Sequence, residues 1–364
     1  MTTYALWVIY DAPVPSRSPA TAPPSDRTIG RLLSRYHHAG TPLSCQPVAR
    51  GLLNRGYRVA TTRGRFFLKQ YLDDPDRDTA HPETIARQHH ATLRLGALGL
   101  PVAAPLRDAD GRTVVVIGGS PYALYPWVDG RHRAGTELSF GESRRLGALL
   151  GLVHTSLERV LPPQREPATA VPHPSASPED SYALIDELLR LARRHHPRDA
   201  FDALAEDRLL ERRLLLERHA HRRPADATTR VTGWVHGDFH PFNLLYRGAE
   251  PAAIVDWDRL GVQPRAEEAV RAAAIFFLRE EDGTLDLARV RGYARAYRRT
   301  ARVPADELAA AVHRVWWERL NDLWMLRWRY QRHDRRADPL FPAAAGLVVW
   351  WTREYAEVLA AFTG

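Results

Sequence analysis

Between Trp234 and Asp258 the chain reads WVHGDFHPFNLLYRGAEPAAIVDWD, and no other stretch limits its folding so tightly. Two apolar runs, LLY and AAIV, flank RGAEP, which is the pattern of a β-hairpin. In an antiparallel pair the start of the first strand lies beside the end of the second. Asn243, just before the first strand, and Asp256, just after the second, are thereby brought together, with Asp238 on the loop that precedes them. An amide oxygen beside a carboxylate makes a hard-oxygen pair suited to Mg2+ rather than to zinc. His236 and His240 have the i, i+4 spacing of a helical zinc site, but Gly237 and Pro241 disfavour a helix there. Mg2+ held by one or two protein groups completes its shell with water and phosphate, so a nucleotide is expected.

A site for phosphoryl transfer also requires a cation on the phosphates, a loop over them and a carboxylate facing the accepting hydroxyl. The runs YRVATT and RFFLKQYL on either side of a short RG turn signal a second hairpin, and its second strand carries Lys69. The turn GLLNRG precedes it, and Asp238 is the carboxylate. Around this hairpin TIGRLLSRYH reads as a short helix and HPETIARQHHATLRLGALGL as a longer one stopped by Gly99 and Pro101, with residues 87–90 on its exposed face. TVVVIGGSPYALYPWV supplies two short strands, closing a small α/β unit near Trp127. Beyond it the character is helical. ESRRLGALLGLVHTSLERV is amphipathic, and His154 on its apolar side is expected to be a satisfied buried histidine. Trp317, Trp324 and Trp328, spaced by seven and four, are expected on one side of a helix as core, with an aromatic wall for the acceptor as the alternative.

HGDFHPFN followed by IVDWD resembles the catalytic and metal-binding motifs of the aminoglycoside phosphotransferase and choline kinase family. The similarity continues in LKQY, GLPVAAPL, ALYPWVDG and LGALLGLVH, in the family's order, over most of Val48 to Phe277. It implies a two-lobed, protein-kinase-like α+β fold. A strand and Pro-rich arm (1–27) would precede a small, mainly antiparallel β N-lobe with one helix (28–127) and a larger, mainly helical C-lobe (128–364). The resemblance implies ATP, with GTP as an alternative, and Mg2+ as cofactor. Asp238 would be the catalytic base or hydroxyl-orienting carboxylate, Asn243 and Asp256 the Mg2+ ligands, and Lys69 the group on the α- and β-phosphates. Gly51 and Asn54 would belong to the nucleotide loop, and the backbone of Leu124, Tyr125 and Val128 to the adenine edge. His236 would hold the catalytic loop, with His240 in support. Asp258, two residues beyond Asp256 along a strand, is expected to point the same way and support the metal site. One departure concerns the family's helix glutamate that pairs with the strand lysine. Alignment on GLPV puts Gln88 at that position, and Glu83 takes the role if the helix is shifted by a turn.

A length of 364 residues fits two lobes better than one core. The net charge of +8 comes almost wholly from arginines spread along the chain, with no basic block interleaved with aromatics, so a nucleic-acid partner is not expected. The single cysteine, Cys45, excludes an intramolecular disulfide framework and fits a reducing compartment. No apolar run reaches the ~18 residues of a membrane span, and the start lacks the basic flank of a secretory signal, so a cytoplasmic protein without a membrane partner is expected. The Arg-rich helices at 190–223 and 291–329 favour a neutral or anionic acceptor over a polycationic one. The expected activity is transfer of the γ-phosphoryl group to a small-molecule hydroxyl. A peptide Ser/Thr acceptor is one alternative, and a weakly active nucleotide-binding partner, prompted by Gln88, is another.

Overall fold

The computed structural model describes residues 23–48, 54–72, 81–161, 175–225 and 232–364; the expected first strand, most of the Pro-rich arm and Gly51 lie outside them. The first part is a five-stranded antiparallel sheet, ordered β1-β2-β3-β5-β4. Its strands are β1 (Pro42–Val48), β2 (Arg55–Thr61), β3 (Gly64–Gln70), β4 (Val115–Ile117) and β5 (Ser120–Pro126). Tyr57 is paired with Leu68, and Leu68 with Leu124. These residues cover one face and are buried with Ile29, Leu32 and Leu33 of α1 (Asp26–Leu33), which starts where Ser25 accepts a hydrogen bond from the Thr28 amide at 3.2 Å. Full burial of each such leucine contributes about 1.5–3 kcal/mol. Because strand residues alternate in direction, Leu68 in this core sends Lys69 to the other face. There α2 (Pro82–Ala97) packs Ile85 against Tyr71 and Ala123. The N-lobe thus has two helices, one more than the resemblance implies, because α1 is needed to cover the outer face of the sheet.

The remainder is mostly helical. α3 (Phe140–Val160) opens with a capping box: Ser139 accepts from the Glu142 amide at 3.2 Å, and Glu142 accepts from the Ser139 amide at 2.7 Å. Its apolar stripe, Leu146, Leu150, Val153 and Leu157, is buried. α4 (Pro178–Arg194) and α5 (Ala200–His219) follow, then four short strands: β6 (Thr232–Val235), β7 (Leu244–Arg247), β8 (Glu250–Ile254) and β9 (Gly261–Pro264). β6 pairs with β9, and β7 pairs with β8. The helices α6 (Arg265–Phe276), α7 (Leu287–Ala301), α8 (Ala305–Asn321), α9 (Trp324–Gln331), α10 (Phe341–Arg353) and α11 (Tyr355–Thr363) complete the chain.

Trp317, Trp324 and Trp328 are all buried in the large core, yet they do not share one helix. α8 ends at Asn321, and the buried Arg212 closes that end by donating to the carbonyls of Arg319 (2.7 Å) and Leu320 (3.1 Å). Spacing alone does not reveal the break, because the interrupting Asp322 and Leu323 preserve the periodicity.

α3 and α7 approach each other through Gly147. A Cβ there would lie 2.1 Å from the Tyr293 carbonyl oxygen, whereas one at Gly141, near the start of the same helix, would have no neighbour closer than 3.9 Å. Gly147→Ala is therefore expected to destabilise the fold by about 1–3 kcal/mol through overpacking, and Gly141→Ala to be neutral or slightly stabilising. Urea denaturation of both variants checks this; equal midpoints would contradict the close approach.

Candidate active site

Val235 at the end of β6 is paired with Gly261 at the start of β9, so residues 236–260 form an excursion closed at its base by two strands. The β7/β8 hairpin is its outer end. Leu244 is paired with Ile254, and the Val255 amide donates to the Asn243 carbonyl at 2.9 Å. This places Asn243 and Asp256 at the same end of the hairpin.

Four contacts fix the base of the excursion. His236 is fully buried; its Nε2–H donates to the Val255 carbonyl (3.0 Å) and its Nδ1 accepts from the Asp238 amide (3.2 Å). Burial lowers the His236 pKa against the pull of Glu268 and Asp238, consistent with a neutral ring that donates from one nitrogen and accepts at the other. Glu268 on α6 accepts from the His236 amide at 3.2 Å and from the Gly237 amide, and it also binds His154 Nε2 at 2.7 Å. Gly237 has φ +85°, and a Cβ there would lie 2.1 Å from the Arg259 carbonyl oxygen, so only glycine fits. Glu268 gave no signal in the sequence because it lies on an ordinary helix, 31 residues beyond the Gly237 whose amide it accepts from.

Asp238 is thereby directed into the cleft. Burial favours its neutral form, but His240 (Nε2 3.5 Å away) and Arg259 (Nε 3.9 Å) outweigh this and hold its pKa below the usual carboxylate range. Asn243 is buried and donates through Nδ2 to the Asp238 carbonyl at 2.8 Å and its carboxylate at 3.3 Å. Its Oδ1 has no partner among the described residues.

Lys69 bridges from β3 to the same place. Its Nζ lies 3.3 Å from Asp256 Oδ1, forms a closer ion pair with Asp258 Oδ1, and stands 5.2 Å from the centre of the Tyr71 ring. Burial works against the ammonium charge, but Asp258 and Asp256 more than offset it and raise the pKa. The two acids differ in exposure: the Asp256 side chain is 48% exposed and that of Asp258 8%.

Several expected positions are corrected. Asp258 does not continue a strand from Asp256. Asp256 has φ +60°, and residues Trp257–Arg259 form a 3-10 turn, so it is the turn that brings both carboxylates to Lys69. Neither Gln88 nor Glu83 pairs with the lysine; Gln88 is buried and its Nε2 donates to the Asp258 carbonyl at 3.0 Å, while Glu83 is exposed. Asn54 is occupied, donating to Asp258 Oδ2 at 2.6 Å and accepting from the Leu72 amide at 3.0 Å. Leu124 is a core residue whose carbonyl accepts from the Leu106 amide at 2.7 Å. Residues 87–90 do not all face solvent, since Gln88 and His89 are buried.

His89 was missed. Its Nε2 lies 2.9 Å from the Tyr71 hydroxyl and 3.0 Å from that of Tyr125, and its Nδ1 lies 2.7 Å from Thr113 Oγ1. The group lies at the back of the cleft beside Lys69. Its signal was faint because the polar partners come from three separate segments.

The cleft holds about 940 Å³ and runs between the sheet and the helical part. Asn54, Lys69, Tyr125 and Val128 line one end, and Asp238, Asn243 and Asp256 lie in its wall. Phe239 packs on Phe276 at 6.0 Å, and Glu280 and Glu281, just past α6, line the cleft with Met325 and Leu340. No tryptophan of α8 or α9 lines it, and neither does any arginine of 190–223 or 291–329. The arginines that do reach it include Arg131 and Arg133, paired with Glu137 at 2.6 Å and Glu142 at 2.5 Å; Glu280 and Glu281 are exposed and carry no ion pair among the described residues. No helix among the described residues is long and apolar enough to cross a membrane.

Residues 44–303 match the model of the phosphotransferase enzyme family. The chain is 26% identical over 133 residues to a homoserine kinase of Zymomonas mobilis subsp. mobilis, a match covering 36% of this chain and 39% of that one. It is 25% identical over 227 residues to a homoserine kinase of Sinorhizobium medicae, covering 62% and 61%. The match to each therefore spans less than two thirds of the relative's length. Among solved structures it resembles a spectinomycin phosphotransferase in complex with ADP and spectinomycin, with TM-score 0.61 and 13% identity over 91% of this chain and 98% of that one.

Burial, together with the neighbouring Lys69, lowers His89 to about 3. In the unfolded chain the ring takes a proton near its ordinary value of about 6.5, so below that pH the unfolded state binds more protons. The stability this group contributes is complete above about 6.5 and is lost as the pH falls toward 3. His89→Gln is expected to cost about 1–3 kcal/mol at pH 7.5 by leaving hydroxyls unpaired, and to flatten the fall in melting temperature between pH 7 and 4.5. Parallel melting curves for variant and parent would contradict this.

Proposed function

The chain belongs to the phosphotransferase enzyme family, and from that premise we propose that it transfers the γ-phosphoryl group of ATP to a hydroxyl of a small, amine-bearing acceptor. The observation that carries the reading is the meeting of Lys69, Asp238, Asn243 and Asp256 in the walls of one cleft.

Nucleotide at the Lys69 end is supported by the backbone. The Trp127 amide donates to the Arg65 carbonyl at 3.2 Å. Strand alternation then turns the Pro126 carbonyl and the Val128 amide away from β3, an acceptor and donor pair that suits the adenine edge. Tyr125, held through its hydroxyl by His89 and Tyr71, closes the back of that pocket. ADP bound to the spectinomycin phosphotransferase accords with a nucleotide of this type.

The donor set fits Mg2+: the Asn243 amide nitrogen is used by Asp238, leaving Oδ1 without a partner among the described residues, and the Asp256 carboxylate is half exposed. Among the described residues no three His, Cys, Asp or Glu side chains gather at one point, so the rest of the shell would come from water and phosphate. When bound there, Mg2+ supplies the positive charge that offsets the charge building on the phosphates. Lys69 binds the donor's phosphates. Asp238, kept ionised by His240 and Arg259, accepts a hydrogen bond from the acceptor hydroxyl and aims its oxygen at the γ-phosphorus. The new O–P bond forms as the bridging bond to the β-phosphate breaks, ADP leaves, and the hydroxyl proton passes to Asp238 or to solvent. Gly237 and Glu268 keep this carboxylate in place.

Glu280 and Glu281 set the acceptor's charge in this reading. They are the cleft's free carboxylates at the Asp238 end, with Met325 and Leu340 as apolar wall. This replaces the preference for a neutral or anionic acceptor drawn from the Arg-rich helices, whose arginines lie outside the cleft. Several pair with surface acids, as Arg193 and Arg198 do with Glu206. The homoserine of the relatives' name carries both an amine and a hydroxyl. Nothing in the comparisons supports a peptide acceptor.

The test is ADP release with Mg2+ and ATP across amino alcohols, amine-free alcohols and Ser/Thr peptides. Turnover is expected with the first group; turnover on peptides alone, or on none, would overturn the reading. Asp238→Ala is expected to lower kcat by about 10²–10⁴-fold while nucleotide affinity, measured by calorimetry, stays within about threefold. Glu280→Gln combined with Glu281→Gln is expected to raise the KM of an amino-alcohol acceptor about tenfold or more with the KM for ATP unchanged. An unaltered acceptor KM would remove the amine from the proposal.

A further inference from the structure

We infer that Asp258 is the positioning residue for Lys69, taking from the catalytic excursion the role that a helix acid would otherwise fill, with Gln88 bracing Asp258 from α2. The inference rests on the nucleotide reading of the cleft.

Two carboxylates compete for Lys69, and their surroundings separate them. Asp256 is half exposed at the cleft and has one ion-pair partner among the described residues, Lys69 at 3.3 Å. Its carboxylate is therefore available to a bound cation, and once engaged there it holds the ammonium less firmly. Asp258 is 8% exposed and bound on every side: Oδ1 on Lys69, Oδ2 on Asn54 Nδ2 at 2.6 Å, and its backbone carbonyl on Gln88 Nε2 at 3.0 Å. These bonds fix it beside the lysine. A buried ammonium needs a lasting counter-charge in low dielectric, and Asp258 supplies one in a fixed geometry.

The same geometry explains the residue at 88. A glutamate there would set a carboxylate oxygen against the Asp258 carbonyl and add a third negative charge around one lysine. A glutamine donates to that carbonyl instead. Gln88 and Asp258 thus form one device, in which the α2 side chain holds the backbone of the residue that holds Lys69. Asn54, beside the nucleotide loop, ties its other oxygen. A nucleotide that draws Lys69 onto its phosphates meets an ammonium already aimed, at the cost of no counter-charge.

The experiment is a double-mutant cycle on binding of AMP-PNP with Mg2+, measured by calorimetry, so that no acceptor is needed. Asp258→Asn is expected to weaken binding about tenfold in the parent and less than about twofold in the Lys69→Met background, because Asp258 acts through the lysine. Asp258→Glu, which keeps the charge, is expected to retain parental affinity within about threefold. The Lys69→Met, Asp258→Asn double variant removes both members of the buried pair and closes the cycle, and a loss on Asp258→Asn in the Lys69→Met background as large as in the parent shows that Asp258 does not act through the lysine. Equal losses in both backgrounds, or no loss in the parent, would overturn the inference. Failure of the parent to bind nucleotide would instead overturn the functional reading beneath it.

Discussion

One ammonium group joins the two parts of this molecule at the point where they face each other. Lys69 faces the cleft because Leu68 is committed to the core between the sheet and α1, and it meets Asp256 and Asp258, 187 and 189 residues further along the chain. Burying that charge is unfavourable by itself, and the two acids reverse the balance. The arrangement then constrains everything around it. α2 must cover the same face of the sheet, Tyr71 must lie beneath the ammonium, and residues 256–259 must curl rather than extend.

The second constraint is the closed excursion. Its ends are pinned by the pairing of β6 with β9, and its interior by groups that satisfy each other's backbone. His236 donates to one limb and accepts from the other, Glu268 gathers two amides, and Gly237 allows the limbs to touch. Asp238 and Asn243 are consequently aimed by backbone hydrogen bonds rather than by long flexible side chains. A site of this kind loses little entropy when a ligand arrives, which favours preorganised electrostatics over induced fit.

Much of this was legible in the sequence where the signal was local. The two hairpins announced themselves by alternation and turn residues, and α3 by the helical spacing of Leu146, Leu150, Val153 and Leu157. What was not legible depended on partners distant in the chain. His89 sits in a stretch that reads as a polar helix face, and only Tyr71, Thr113 and Tyr125 make its burial affordable in hydrogen bonds. Asp258 reads as the next residue of a strand until Asp256 adopts a left-handed conformation. The helix break between Trp317 and Trp324 keeps the helical spacing. Arginine counts were no guide to the cleft, because the charge of a helix says nothing about which face meets it.

The central claim is that the cleft end of the β7/β8 hairpin, facing Lys69, is a divalent-cation and phosphate site. Anomalous diffraction from crystals grown with AMP-PNP and Mn2+ in place of Mg2+ tests it most directly. The account predicts a manganese peak within coordination distance of Asn243 Oδ1 and the Asp256 carboxylate, with the phosphates on Lys69. Manganese bound elsewhere in the cleft, or phosphates lying away from Lys69 with the hairpin end vacant, would contradict it.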